Sequence, residues 1–399
     1  MAQFKYQAKN AAGANETGTA DAENLTELRR VLLEKNLYMV SADEIRDKSG
    51  KTSNRRLSLK SLSIICKQLT SMLKAGVTLV RSLDILYQQA EDDKMKAVMR
   101  DIYEDVQKGD MFSVALMKQG DKFPPVMISI VQSGEASGNL EECMGKLASQ
   151  FENDNRTHMA VVSAMVYPAV LLVLILGAVA VLLIFVMPTF VEMFADSGAA
   201  LPKPTQIVVG CSNFLVAYWF IIFPAIGLGI YFLRQYLKTV KGNLWKSRLY
   251  LKIPIVKQVV TNLASARFSR TLANLVSSGI PLINSIEITA RVVDNAVIEQ
   301  LLMDMRDDIR VGMPLSYGIK KIDCFPPVVY SMVAIGEESG DIDQLLDNLA
   351  DYMDEEVSTS IARLMTMLEP LLTVVMGGAV GFIVVAMILP IFGVYETVG

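Results

Sequence analysis

The 399-residue chain contains one histidine, His158, and four cysteines, none of which forms a CxxC pair. Zinc sites need closely spaced Cys or His ligands, and disulfide frameworks need paired cysteines, so the sequence predicts neither. His158 lies beside an apolar run, and the internal repeat described below has Ser360 in its place. We therefore predict no catalytic residue, no cofactor and no metal site.

Charged residues are also scarce, at 20% of the chain against 52% hydrophobic residues. Three stretches have no Asp, Glu, Lys or Arg at all: 159–191, 204–233 and 370–395. At about 1.5 Å per helical residue, each is long enough to cross about 30 Å of hydrocarbon. The sequence thus predicts a polytopic membrane protein rather than a soluble enzyme. We place three transmembrane helices at the ranges 161–191, 205–233 and 370–395, with a short external loop at 192–204.

The orientation follows from the distribution of basic residues. Nine Lys and Arg residues between positions 234 and 270 have no acidic residue among them. By the positive-inside rule, this places the basic juxtamembrane segment 234–264 in the cytoplasm. The N-terminal residues have no apolar core typical of a secretory signal, so we expect a cytoplasmic N-terminus and a periplasmic C-terminus. The basic segment has no loop in which basic and aromatic residues alternate, and it lies where anionic lipid headgroups would be, which favours contact with the lipid bilayer over nucleic acid.

Much of the chain consists of an internal repeat. The sequence pattern from Phe123 to Pro188 recurs 202 positions later, from Phe325 to Pro390. Helical spacing of apolar residues predicts six helices in each copy, so we expect two homologous cytoplasmic six-helix bundles, at 59–158 and 265–367. Between the start of each sixth helix and Pro168 or Pro370 there is no helix breaker, so each sixth helix is expected to continue into the membrane. Those two prolines and their partners Pro188 and Pro390 then bracket the bilayer.

A five-residue motif, GExSG, occurs once in each copy. Its repeated members are Gly134, Glu135 and Gly138 in the first copy and Gly336, Glu337 and Gly340 in the second. We expect the motif to form the loop between the fifth and sixth helices. Each Glu either closes this loop by an intramolecular hydrogen bond or contacts a partner protein. Nearby acidic residues leave a divalent cation as an alternative, although their positions at a helix start favour a capping role.

The first 46 residues form a small module of their own. FKYQA and LYMVSADEI have strand character, residues 10–18 supply turn residues, and LTELRRVLLEK has helical spacing, which predicts a cytoplasmic α/β module. A polar, basic linker at 47–58 follows. It contains Gly50-Lys51-Thr52, but a phosphate-binding loop would need glycine where Ile45 stands. We therefore predict no nucleotide site here.

A small-solute transporter is the alternative function, because many transporters are built from repeats. Three features oppose it: the spans are uncharged, there are only three of them, and most of the chain is expected in the cytoplasm. Gly377 and Gly381 form a GxxxG pattern in the third span, which is typical of helix–helix packing. Together with wide apolar faces, this pattern indicates a homo-oligomer.

These features together carry a family resemblance. The chain opens with FKYQA, and its duplicated domain has FPP, GExSG and a leucine (Leu147 and Leu349) at fixed offsets. Tyr-Pro and Glu-Pro pairs lie at the start of the first and third spans, and a basic segment follows the second span. In these four features the chain resembles the type II secretion F / type IV pilus PilC platform proteins. The resemblance covers essentially the whole chain.

The resemblance implies a multi-pass protein of the bacterial inner membrane with no enzymatic activity. It also implies three kinds of partner: a hexameric cytoplasmic assembly ATPase, pilin or pseudopilin subunits, and other inner-membrane assembly components. Platform proteins of this kind are expected to couple the ATPase to the insertion of subunits into a filament.

Overall fold

The computed structural model describes residues 2–10, 15–22, 29–30, 32–33, 37–45, 56–189, 191 and 203–398. Most of the predicted linker, with Gly50-Lys51-Thr52, and most of the predicted external loop lie outside the described residues. The chain divides into two units. Unit one comprises residues 1–58 and 71–124, and unit two comprises residues 59–70 and 125–399.

Unit one begins with a three-stranded antiparallel sheet. Its strands are β1 (Ala2–Asn10), β2 (Asn15–Ala22) and β3 (Leu37–Ile45), in the order β2-β1-β3. Residues 29–30 and 32–33 are helical, and Leu32 is buried. The two strand predictions are confirmed here, and the four described residues of the predicted helix are helical, but the prediction of a turn across residues 10–18 is wrong from Asn15 onward. β2 pairs on one side only, and its polar NETGTADA sequence carries no apolar alternation that could reveal a strand.

Helices make up nearly all of the remaining described chain. The first five are α1 (Leu59–Lys74), α2 (Leu79–Gln89), α3 (Asp93–Gln107), α4 (Phe112–Lys118) and α5 (Pro125–Ser137). Gly76, which follows α1, has a φ of +79°, as expected for a glycine that ends a helix. Apolar spacing in the sequence predicts helices at about 79–91, 94–108, 111–119 and 125–134, and α2 to α5 agree with these positions to within three residues.

The rest of unit two contains nine further helices among its described residues. They are α6 (Leu140–Val181), α7 (Lys203–Leu237), α8 (Val240–Lys252), α9 (Pro254–Ser277), α10 (Leu282–Val292), α11 (Ala296–Arg310), α12 (Leu315–Lys320), α13 (Pro327–Ser339) and α14 (Ile342–Val398). Helices α9 to α14 enclose one apolar core, in which Phe268, Leu272, Ile286, Leu302 and Leu349 are fully buried.

Helix α9 begins earlier than the sequence indicated. The sequence pattern predicts the first helix of the second copy at residues 269–278, whereas α9 starts at Pro254 and crosses the predicted boundary between 264 and 265. Pro254 suits the first helical turn, where its missing N–H costs nothing, and no breaker follows until Gly279. The buried Thr261 and Asn262 show that this extension packs against the rest of unit two.

The two sixth helices are continuous, as predicted. Helix α6 passes through Pro168 and leads into a π-helical turn, Leu182–Val186. Helix α14 passes through Pro370 and is 57 residues long. Among the described residues, two helical stretches are long and apolar enough to cross a membrane, Leu140–Thr189 and Ile342–Ile388. Helix α7 covers the predicted second span, whose crossing of the membrane stays a prediction.

Candidate interaction site at the repeated motif

The GExSG motif forms the end of a helix rather than a loop. Gly134 and Gly336 lie in the last turns of α5 and α13, and each motif leaves its helix only at its final glycine. Gly138 and Gly340 have φ values of +72° and +76°, the left-handed conformation that glycine adopts at low cost. The predicted five-residue loop is therefore wrong, and the turn between fifth and sixth helices is much shorter.

The first glycine of each motif allows the next helix to approach closely. A Cβ atom on Gly134 would lie 2.9 Å from the Cys143 sulfur and 3.2 Å from the Leu140 Cα atom. A Cβ atom on Gly336 would lie 3.1 Å from the Ile342 Cα atom. Both sixth helices thus begin against a helix surface that has no side chain at the crossing point.

The motif carboxylate of the second copy binds within its own bundle. Glu337 accepts hydrogen bonds from the backbone nitrogens of Leu315, at 2.7 Å, and Ser316, at 3.0 Å, and from the Ser316 hydroxyl, at 2.6 Å. It therefore occupies the N-terminal end of α12. Burial alone would raise the pKa of Glu337, but these three hydrogen bonds together lower it.

The corresponding carboxylate of the first copy, Glu135, lies half-buried at the same place on α5. The sequence left two roles open for this pair of residues. For Glu337, the intramolecular hydrogen bonds are observed, and for Glu135 both roles stay predictions.

The two copies of the repeat meet at a polar junction inside unit two. Gln150 on α6 donates from Nε2 to the Thr271 hydroxyl at 3.1 Å, and its Oε1 accepts from Asn274 Nδ2 at 2.9 Å. One end of the junction is closed by the Ser133 hydroxyl, which donates to the Ser278 carbonyl oxygen at 2.5 Å. Gln150 is only 3% exposed, and both polar atoms of its side-chain amide have a hydrogen-bond partner inside the protein.

Ion pairs continue the junction along α6 in the direction of its apolar segment. Arg267 on α9 lies 3.9 Å from Asp154 on α6 and 3.3 Å from Asp294. Burial raises the pKa of Asp154 to about 6, although the Arg267 charge opposes the rise. One turn along α9, Arg270 binds three carboxylates of α14, and the distances are 2.7 Å to Asp347, 2.5 Å to Asp351 and 3.0 Å to Asp354.

The apolar helices meet over a limited length. A buried apolar cluster lies where the helical stretch that follows α6 meets α7 and α14, and its members include Leu183, Met187, Val208, Ile383 and Ala386. Two hydroxyl groups make hydrogen bonds beside this cluster. Thr205 donates to the Ala386 carbonyl oxygen and Ser212 donates to the Leu183 carbonyl oxygen, both at 2.6 Å.

Elsewhere the same helices expose apolar side chains. Val173 on α6 is 66% exposed and Val374 on α14 is 73% exposed. Surfaces of this kind are expected to face lipid or another apolar helix. Of the bracketing prolines, Pro188 and Pro370 are also exposed, Pro168 is half-buried, and the side chain of Pro390 is outside the description.

Within the described residues, no group of three or more His, Cys, Asp or Glu side chains is placed to hold a metal ion. One acidic residue near the first motif makes contacts at the start of its own helix. Glu142 accepts from Asn139 and pairs with Lys146 at 2.8 Å, and these contacts lower the pKa of Glu142.

Sequence comparison agrees with the repeat seen in the structure. The family described as "Type II secretion system (T2SS), protein F" matches twice, at residues 65–188 and 268–390. A second description, "Type II secretion system protein F, N-terminal domain", matches residues 1–43. The matched ranges begin in α1 and α9 and end at the prolines predicted to close the first and third spans.

Full-length relatives are found in both pilus and secretion machines. The chain is 34% identical to the type IV pilus assembly protein PilC of Thermus thermophilus, over 100% of this chain and 99% of the relative. It is 32% identical to the type IV pilus assembly protein TapC of Aeromonas hydrophila, over 99% and 96%. It is 30% identical to the type II secretion system protein F of Pseudomonas aeruginosa, over the full length of both. The chain therefore belongs to the type II secretion system protein F family, which includes the pilus assembly protein PilC.

Proposed function

We propose that this protein is a non-enzymatic platform in the bacterial inner membrane that couples a cytoplasmic assembly ATPase to the insertion of pilin or pseudopilin subunits into a filament. The observation that carries this proposal is the continuity of α6 and α14, which are 42 and 57 residues long. Each joins a bundle rich in ion pairs to a stretch with exposed apolar side chains. A displacement of the bundle would thus be transmitted to the membrane without an intervening flexible joint.

The topology we propose has three spans. Helix α7 returns the chain to the cytoplasm, so that both repeats lie on the same side, with the N-terminus cytoplasmic and the C-terminus periplasmic. The basic residues on α7, α8 and α9 support this orientation. We retain the predicted domain boundaries with one change, since the second bundle is proposed to begin at Pro254 with α9.

Coupling is tested at a position between bundle and membrane. Met159 lies on α6 and is 51% exposed, so a substitution there leaves the core of the bundle intact. Proline at this position removes a backbone hydrogen bond and disrupts the helix, at a cost of about 3 kcal/mol. We expect Met159→Pro to abolish filament assembly while the protein inserts at its normal level, and Met159→Ala to assemble normally. Normal assembly by Met159→Pro would disprove mechanical coupling through α6.

The ATPase contact is tested with the full-length protein in detergent. Tagged protein should retain the assembly ATPase of the same cell, and assembly partners, after gentle extraction. We propose that Glu135 and Glu337 both support their bundles, so Glu→Gln variants that stay folded should still bind the ATPase. Loss of binding with unchanged circular dichroism would instead place the motif at the motor contact.

The transporter alternative gives a different result. Purified protein reconstituted into vesicles would then take up a labelled solute without any partner, whereas the platform proposal predicts no uptake.

A further inference from the structure

The junction between the two repeats uses a different face of each repeat. On the first repeat it uses α6 and the end of α5, through Ser133, Gln150 and Asp154. On the second repeat it uses α9, through Arg267 and Thr271. Since the repeats are homologous, each of these faces has a counterpart elsewhere in the chain, and its exposure can be read directly.

The counterpart of the α6 face lies on α13 and α14, and it is exposed. At the offset of 202, Gln150 corresponds to Tyr352 and Ser133 corresponds to Ile335. Gln150 is 3% exposed, whereas Tyr352 is 46% and Ile335 is 53% exposed. An aromatic and a β-branched apolar residue thus lie on the surface where the first repeat has the buried Gln150 and the half-buried Ser133.

The counterpart of the α9 face lies on α1 and is exposed as well. At the offset of 203 that holds before the FPP sequence, Arg267 corresponds to Ile64 and Thr271 to Gln68. Ile64 is 46% exposed, and Gln68 is exposed as well. If the repeats were related by a two-fold axis at this junction, these counterparts would contact one another inside the same chain, and they would be buried.

The junction is therefore head-to-tail. Each chain is left with two faces that no intrachain junction covers, one on α1 and one on α13 and α14. Contacts of this kind continue from one subunit to the next, and they give a ring if the rotation between subunits closes and an open helical array if it does not. We propose that α1 of one chain packs against α14 of a second copy of this chain, which repeats the α6–α9 junction between subunits. Gln68 and Ile64 of one subunit then lie opposite Tyr352 and Glu356 of the next.

The charges of the two faces are complementary. The α1 face carries Lys60, while the α14 face carries Glu355 and Glu356. The internal junction has the same polarity, because Arg267 on α9 meets Asp154 on α6. Docking would also cover the exposed side chains of Ile64, Ile335 and Tyr352. The inference is independent of the proposed function, since the chain could associate in this way whether or not an ATPase binds it.

Cysteine cross-linking in the membrane tests the contact directly. In a full-length chain whose four native cysteines are replaced by alanine, Gln68→Cys and Tyr352→Cys are co-expressed on differently tagged copies and treated with a short bis-maleimide. We expect a cross-linked dimer that contains both tags. Gln300→Cys, an exposed position on α11, replaces Tyr352→Cys in the control and should give no such dimer. Cross-linking of Tyr352→Cys to itself, or no dimer with both tags, would overturn the proposal.

A second test leaves the native cysteines in place. Ile64→Arg would recreate with Glu356 of the next subunit the ion pair that Arg267 makes with Asp154. We expect self-association in vesicles, measured by fluorescence transfer between labelled copies, to be about fivefold tighter for Ile64→Arg than for Ile64→Gln, and about fivefold weaker for Ile64→Glu. Glu356→Gln should remove the difference between these variants. Equal affinities of the three Ile64 variants, or the reverse order, would contradict the proposed contact.

Discussion

The side-chain amide of Gln150 lies 3.1 Å from the hydroxyl of Thr271, and this buried hydrogen bond joins the first repeat to the second. The same amide accepts from Asn274 at 2.9 Å. Three side chains from two repeats thus satisfy one another in a place that water does not reach.

Removal of Gln150 should therefore destabilise the protein. Gln150→Ala leaves the buried amide of Asn274 without its acceptor, which costs about 1 to 3 kcal/mol in free energy of unfolding. We expect a lower midpoint of thermal unfolding in detergent. Gln300→Ala, on the exposed surface of α11, is the matched control. An equal midpoint in both variants would show that the buried network contributes nothing.

The Glu337 carboxylate predicts a stability that depends on pH. Its pKa is lowered in the folded protein, so its contribution is present above the ordinary pKa of glutamate and is lost as the pH falls through the lowered value. Glu337→Ala should cost about 1 to 3 kcal/mol at pH 7, because the N-terminal amides of α12 lose their acceptor. Chemical denaturation at pH 7 and at acidic pH measures both effects. Glu338→Gln, at the neighbouring exposed carboxylate, is the control, and a similar loss there would contradict the specific role of Glu337.

Asp154 predicts the opposite dependence. Burial raises the pKa of Asp154 to about 6 in the folded protein. The contribution of Asp154 to the free energy of unfolding is therefore at its maximum below about pH 4 and is lost as the pH rises to 6. The Asp154→Asn variant lacks this change. Relative to the parent protein, it should therefore gain unfolding free energy between pH 4 and pH 7, by up to about 3 kcal/mol. The exposed Asp304→Asn corrects for the loss of one charge, and an identical pH profile in both variants would exclude the effect.

Gly134 predicts a steric effect at the start of α6. The Cβ atom of Gly134→Ala would lie 2.9 Å from the Cys143 sulfur and 3.2 Å from the Leu140 backbone, so the two helices must separate. We expect a loss of about 1 to 3 kcal/mol, typical of overpacked sites. Gly377→Ala in α14 is the control, because nothing lies within 4 Å of a Cβ atom there. Unchanged thermal stability of Gly134→Ala would show that the crossing adapts without cost.

The sequence predicted the helices of unit one and the continuity of α6 and α14 well, because these features depend on local spacing and on the absence of breakers. It failed at the GExSG motif. Gly134 and Gly336 were interpreted as loop residues, since glycine usually interrupts helices. In the folded chain they are helical and owe their identity to the close approach of the following helix, which is a tertiary constraint that local pattern does not contain.

The contacts between repeats were beyond sequence reasoning for a related reason. Nothing near Gln150 marks it as the partner of Thr271, which is 121 positions away. The Arg270 cluster likewise joins one helix to carboxylates 77 to 84 positions further along. The only available signal was the difference between copies: Gln150 is polar where the second repeat has Tyr352.

The unbroken course of α6 also fixes an angular relationship. From Leu147 to Pro168 and from Leu349 to Pro370 the two sixth helices keep the same number of residues, so both repeats present their apolar segments at the same rotation about the helix axis. One inserted residue would turn the membrane part by about 100° and advance it by about 1.5 Å. The π-helical turn at Leu182–Val186 occurs in α6, whereas α14 stays α-helical over the corresponding residues. The two helices therefore leave their bundles in phase and reach the far side of their apolar segments out of phase.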